Sequence, residues 1–148
     1  MPDHAFLKLG EDLTRALLTG DFRLYRSILI LPMKFTPTGG QAYVLQTEDD
    51  LQDDFDLYVS IIKLHGVTDI YRQITRFEPA GPYQVEVHCL THILVRANLL
   101  TEPFATRMLM RHNEDGWRIA EIESTKGHLN WTQGLAVLTP DGRFAAKD

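Results

Sequence analysis

An α+β fold, with helices first and a long curved sheet second, follows from three features of this sequence. From Leu7 to Leu29 and from Leu51 to Ile62 apolar residues recur at three- and four-residue steps, and capping signals mark the helix ends. From Thr68 to Glu123 the apolar period is two, the signature of half-buried strands. Asp115-Gly116 then separates two of these alternating runs as a tight turn. Helical segments followed by strands pack as layers, so the N-terminal helices are expected to cover one face of a strongly curved, largely antiparallel sheet.

Leu7, Leu9, Leu13, Ala16 and Leu17 form the apolar stripe of a first helix that ends at Gly20. Asp21 is an N-cap for a second, short helix carrying Phe22, Tyr25, Ile28 and Leu29, which Pro32 stops. Met33 to Thr36, Pro37-Thr38-Gly39-Gly40 and Tyr43 to Leu45 read as strand, turn and strand. Thr47 and Asp50 make a capping box, and Glu48, Asp49 and Asp50 complement the dipole of the helix that begins there. Its stripe is Leu51, Phe55, Tyr58, Val59 and Ile62, with Lys63 and His65 in the last turn and Gly66 as the stop. Strands follow at Ile70 to Glu78, Tyr83 to Arg96, Phe104 to His112 and Trp117 to Glu123. No repeat or low-complexity linker interrupts them, so residues 1–148 read as a single domain.

Composition excludes several classes. A chain of 148 residues, 44% hydrophobic and 24% charged, is long enough to bury one core. Its net charge of -5 and the absence of any Lys/Arg run argue against a general nucleic-acid binder. Cys89 stands alone, so neither an intrachain disulfide nor a Cys-rich zinc site can be built. Met1-Pro2-Asp3-His4 begins no signal sequence, and no run approaches the ~20 apolar residues of a membrane span. A cytoplasmic protein is the expectation.

The order of elements, the Gly20-Asp21-Phe22 break and the Asp115-Gly116-Trp117-Arg118-Ile119 hairpin together resemble the NTF2-like superfamily, and within it the SnoaL-like branch, over about residues 5–124. This resemblance implies a cone-shaped, cystatin-like fold with a pocket between the helices and the concave sheet face, and often a homodimer built on the outer sheet face. Activities in that superfamily run from isomerases, dehydratases and cyclases to non-catalytic subunits, so the likeness selects none of them. By comparison of positions, the first-helix tyrosine of steroid isomerase members falls near Leu13 and their catalytic aspartate near Thr36. Their second aspartate, and the acid of SnoaL-type cyclases, falls near Met108 or Leu109. Leucine and methionine transfer no protons, so that acid–base mechanism is not expected here.

Strand register decides what faces such a pocket. Pairing like with like between the second and third long strands puts Val85, Val87, Cys89, Thr91 and Ile93 on the concave face with Phe104, Thr106, Met108 and Met110. Continuing the alternation through the Gly116 turn adds Trp117, Ile119 and Glu121, and leaves Arg107, Leu109, Arg111, Ala120 and Ile122 outside with His88 and His92. Glu121 is then the one charged group aimed inward and the first acid candidate, because an apolar pocket disfavours the charged carboxylate. Its alternative is a place at the sheet rim or in a pair with an arginine. Tyr25 and Tyr58 offer hydroxyls to a ligand or pack as core aromatics, while Met108 and Met110 are adaptable wall.

His88 and His92 are the other acid–base candidates, against the alternative of half-buried residues at a dimer face. Four apart on a strand, they are separated by about 13 Å at ~3.3 Å per residue and cannot share a metal ion. Cys89 points away from both, which weakens a Cys/His nucleophile. No metal or cofactor is expected. Residues 125–148 extend past the resemblance, with Trp131, Leu135, Val137 and Leu138 leading to a turn at Pro140-Asp141-Gly142 before Phe144. This small hairpin needs a surface to cover, either the pocket mouth or a dimer partner. The expected function is a homodimer that holds a small hydrophobic molecule in the pocket between helices and sheet, without established catalysis. The alternatives are an isomerase, dehydratase or cyclase acting on a small hydrophobic carbonyl compound, and a non-catalytic interaction subunit.

Overall fold

A computed structural model describes residues 2–36, 42–100, 102–124, 136–138 and 144–146. The helices are α1 (Pro2–Thr19), α2 (Phe22–Ser27) and α3 (Glu48–His65). The strands are β1 (Leu29–Thr36), β2 (Tyr43–Leu45), β3 (Asp69–Pro79), β4 (Gln84–Val95), β5 (Asn98–Leu99), β6 (Phe104–Asn113), β7 (Gly116–Ser124), β8 (Ala136–Leu138) and β9 (Phe144–Ala146). The main sheet runs β2-β1-β7-β6-β4-β3, with β5 beside β4. The expected meander of β3, β4, β6 and β7 is antiparallel. β1 pairs parallel with β7, so the first and last strands of the sheet are neighbours and the sheet is mixed.

Two register steps bend the sheet into a cup. On β3 the partner of Ile74 is Cys89 and that of Arg76 is His88, which leaves Thr75 as an extra residue. On β7 the partner of Leu109 is Glu121 and that of Met110 is Ile119, which leaves Ala120 extra. An extra residue kinks its strand and increases the local twist. The helices pack into the hollow, and the most deeply buried large side chains belong to one core: Phe6, Met33, Leu45, Leu51, Phe55, Val87, Met110 and Ile119. No helix among the described residues is long and apolar enough to cross a membrane.

Most local signals act as expected, with three corrections. On α1 the inward residue of the first turn is Phe6, not Leu7, which is 50% exposed. Phe6 stands three residues before Leu9 and seven before Leu13, on the stripe, and its ring meets Phe77 edge-on. α2 stops at Ser27 rather than at Pro32, so Leu29 and Pro32 belong to β1. Pro32 falls where the pairing with β7 steps between Leu29 and Lys34, and just before the pairing with β2 begins at Met33, so its missing N–H costs no ladder bond. β5 lies within what reads from sequence as a plain connection. The Pro37-Thr38-Gly39-Gly40 turn lies outside the described residues.

The capping box of α3 is formed: Asp50 N–H donates to Thr47 Oγ1 at 3.1 Å and Thr47 N–H to Asp50 Oδ2 at 3.4 Å. Gly66 closes the helix at φ +68°, its N–H reaching the carbonyls of Ile62 and Lys63. Because nothing lies within 4 Å of a Cβ built there, Gly66→Ala should carry only the left-handed backbone penalty, about 1 kcal/mol by urea unfolding. No loss, or a loss of several kcal/mol, would contradict this. In the C-terminal segment β8 and β9 pair antiparallel, Leu138 opposite Phe144, and β9 comes within 8 Å of α3 between Cα atoms. Trp131, Leu135 and the Pro140-Asp141-Gly142 turn lie outside the described residues.

Candidate functional site

The helices close over the cup without filling it. The remaining cavity is lined on the helix side by Leu13 and Leu17 of α1, Tyr25 of α2, and Tyr58 and Ile62 of α3. On the sheet side Phe35, Ile70, Arg72, Thr91, Ile93, Phe104, Thr106, Met108, Ile122 and Ser124 complete it. The centre of a water molecule can move through about 70 Å³ of this space, room for roughly two to five waters or a compact organic group.

Between β4 and β6 the expected register is the observed one: Val85 opposite Met110, Val87 opposite Met108, Cys89 opposite Thr106 and Thr91 opposite Phe104. Past Leu109 it departs. Ala120 is accommodated as a bulge, so Glu121 pairs with Leu109 on the outer face while Ile122 and Ser124 pair with Met108 and Thr106 and line the cavity. The inward placement of Glu121 and the outward placement of Ile122 are thereby both reversed. Glu121 instead lies 3.5 Å from Arg107 Nη2, the arginine pairing weighed as its alternative. Tyr25, Tyr58, Thr91, Thr106 and Met108 are on the cavity wall. Cys89, Met110 and Trp117 are not: Cys89 is buried with its Sγ 3.9 Å from Thr91 Oγ1, Met110 is core, and Trp117 pairs with His112 near the Gly116 turn.

The charge that does face inward is Arg72. Ile70 pairs with Ile93, Arg72 with Thr91 and Ile74 with Cys89, so Arg72 shares its face with two inward isoleucines. Its Nη1 donates to the Gly10 carbonyl at 3.2 Å and to Thr14 Oγ1 at 2.7 Å, both on α1. Among the described residues no carboxylate forms an ion pair with it. Burial lowers its pKa, opposed by the fields of Cys89, Tyr58, Tyr25 and Asp69. Arg72 also borders a groove between α1 and β3 that holds Gly10, Thr14 and Tyr71. The signal for it was present in the alternation Ile70, Arg72, Ile74.

A second group absent from the sequence reading lies behind the helix side. Asp54 of α3 is buried, and Tyr43 Oη donates to its Oδ1 at 3.2 Å. Burial first, and the Asp54 charge second, push the pKa values of Tyr25, Tyr43 and Tyr58 upward. Their hydroxyls therefore remain protonated at neutral pH and act as donors. Across the cavity floor Thr91 Oγ1 lies 2.9 Å from Thr106 Oγ1, which lies 3.5 Å from Ser124 Oγ. Among the described lining residues there is no carboxylate and no imidazole. Leu13 and Met108 are part of that wall, and Thr36 ends β1.

His88 and His92 face outward. His92 meets the Tyr71 ring, with centroids 5.4 Å apart. His88 Nε2 lies 3.5 Å from Glu86 and 3.9 Å from Glu78. Although these three could converge on a cation, Arg76 holds Glu78 at 2.8 Å and Arg107 lies 3.7, 3.5 and 3.6 Å from Glu86, Glu121 and Glu123. Two guanidiniums among the same carboxylates oppose a metal ion, and the cluster is an ion-pair network on the outer sheet face.

No protein-family model and no curated protein matches the sequence. Solved structures match its fold. An NTF2-like protein of unknown function from Shewanella oneidensis MR-1 superposes with a TM-score of 0.60 at 15% identity, over 84% of this chain and 98% of that one. A proposed dehydratase of the NTF2-like family from Streptomyces avermitilis gives 0.58 at 16% identity, over 84% and 96%. A proposed ketosteroid isomerase from Shewanella frigidimarina NCIMB 400 gives 0.60 at 16% identity, over 79% and 91%. The chain has the NTF2-like, cystatin-like fold.

Proposed function

We propose that this chain of NTF2-like fold is a homodimeric, cytoplasmic binder of one small, largely apolar molecule, held in the cavity between helices and sheet without acid–base catalysis. The wall carries the reading: apolar side chains, hydroxyl donors and one arginine surround the cavity, with no carboxylate or imidazole among the described lining residues. General acid–base work needs a titratable group within hydrogen-bond reach of the substrate, and tyrosines with raised pKa values accept no proton at neutral pH. Concave, mainly apolar cavities with a few placed polar groups are the usual form of a small-molecule site. The buried free thiol of Cys89 fits a reducing compartment.

Melting the protein with a panel of small, largely apolar compounds tests the binding reading. At least one compound should raise the melting temperature, and Ile122→Phe, which fills the cavity from β7, should abolish that shift without lowering the melting temperature of the free protein. If no compound shifts it, or if the shift survives Ile122→Phe, the cavity is not the site.

For the dimer, the outer face presents Tyr71, Leu90 and His92 beside a network of both charge signs, a mixture that can complement itself about a twofold axis. Light scattering should return twice the 16.9 kDa chain mass, and Leu90→Glu should reduce it to the single chain. A monomer for the unsubstituted protein rejects this part.

One observation favours a second reading, an isomerase or dehydratase: the Asp54 charge acts on both cavity tyrosines, Tyr25 and Tyr58. Turnover of a small carbonyl compound that Asp54→Asn abolishes, with the fold intact, would establish it over simple binding.

A further inference from the structure

We infer that the cavity is built for an anion: it takes a compact apolar monocarboxylate, whose carboxylate sits on the guanidinium of Arg72 and whose ring or branched chain lies against Leu13, Ile62, Phe104 and Met108. This rests on the reading of the cavity as a small-molecule site and adds the chemical class of its ligand. Arg72 is the one charged residue among the described residues of the wall. Its hydrogen bonds go to neutral acceptors only, the Gly10 carbonyl and Thr14 Oγ1, and both use Nη1. Those bonds fix the plane of the guanidinium without offsetting its charge, and leave Nη2 and Nε for another partner.

A half-buried cation with no ion-pair partner among the described residues is costly, and two parallel N–H groups match the two oxygens of a carboxylate. Asp69 favours the charge of Arg72 without forming an ion pair with it; it is exposed and accepts from the Ile70 N–H at 2.8 Å. Further polar groups stand on the same wall, in the hydroxyls of Tyr25 and Thr91, the latter directly opposite Arg72 in the β3–β4 ladder. One guanidinium in a small apolar space suits one negative charge on a compact body, and does not suit a phosphate dianion or a long chain.

Isothermal titration of the full chain with benzoate and 3-methylbutanoate, against their amides benzamide and 3-methylbutanamide, tests the inference. At least one carboxylate should bind ten-fold or more tightly than its amide. Arg72→Met should reduce that ratio to about one, and Arg72→Lys, which keeps the charge but not the planar fork, should give an intermediate ratio. Glu121→Gln, on the outer face, should leave the ratio unchanged. Should Arg72→Met fail to fold by circular dichroism, the Arg72→Lys ratio and that of the unsubstituted protein decide. If the amides bind as tightly as the acids, or if substitution of Arg72 leaves the preference intact, the anion inference falls while the cavity reading stands. If none of the four compounds binds and the wider panel also fails, both fall.

Discussion

Above pH 10 the protein is expected to lose stability steeply, by ~1.4 kcal/mol per pH unit for each of Tyr25, Tyr43 and Tyr58, or about 4 kcal/mol per unit for the three. In the unfolded chain these phenols release their protons near pH 10. In the folded protein burial, followed by the Asp54 charge, holds the protons well above that value. The unfolded state therefore binds fewer protons than the folded one once the pH passes 10, and stability falls as the pH rises. What these residues contribute is fully present below pH 10 and is lost towards the folded-state values. A loss that accumulates with every pH unit above 10 approaches the whole stability of a typical domain, about 5–15 kcal/mol, so the protein should unfold before these phenols would ionise in the folded state. Circular dichroism and phenolate absorbance followed together provide the check: the signal of these three tyrosines, out of five in the chain, should appear with the loss of helix. Phenolate formation by all five with the helix signal intact would show that the three are not enclosed.

Phe55→Ala is expected to be among the most damaging single substitutions, at about 3–5 kcal/mol. Phe55 is 2% exposed, and its ring lies 4.6 Å from that of Tyr25 and 5.5 Å from that of Phe22. It thus ties α3 to α2, a helix of only six residues that cannot hold its shape alone. The truncation both removes apolar area and leaves a cavity beside Tyr25, which lines the proposed binding site. Chemical denaturation should show the full loss, and any ligand-induced rise in melting temperature should shrink with it. A cost below about 1 kcal/mol, the size of a surface substitution, would mean that the helix layer is not packed as described.

Much of the fold was legible in the sequence because its signals are local. The Thr47/Asp50 capping box, the Gly20 and Gly66 stops and the β4–β6 register each depend on residues close together or on one unbroken alternation. The inward face of β7 was not legible, because periodicity assumes one residue per step and a bulge does not announce itself. Ile119, Ala120 and Ile122 fit either phase, and the choice is made by the neighbours: the ladders to β1 and to β6 both step near Ala120. One extra residue exchanged Glu121 for Ile122 at the cavity. The parallel β1–β7 pair was hidden for a related reason, since it joins residues more than eighty positions apart along the chain.

Arg72 and Asp54 were hidden differently. Each lies in phase with inward apolar neighbours, the buried Ile70 and half-buried Ile74 for the one and the buried Leu51, Phe55 and Ile61 for the other. A charged residue in an apolar stripe is normally assigned to the surface, and only the three-dimensional packing shows it inside. The cavity consequently differs from the one the sequence implied. It carries a guanidinium where a carboxylate was expected, which turns the expected ligand from a neutral hydrophobe into a compact acid.

Methyl NMR during a benzoate titration tests that account most directly. The Met108 methyl and the Ile62, Ile93 and Ile122 methyls line the cavity, whereas Met110, two residues along the same strand, is buried outside it. Binding in the cavity should move the first group saturably and leave Met110 and the outward Leu90 and Leu109 nearly still, and Arg72→Met should abolish the movement. Saturable shifts confined to the outer face, or none with benzoate and none in a parallel titration with 3-methylbutanoate, would contradict the claim that this cavity is a carboxylate site.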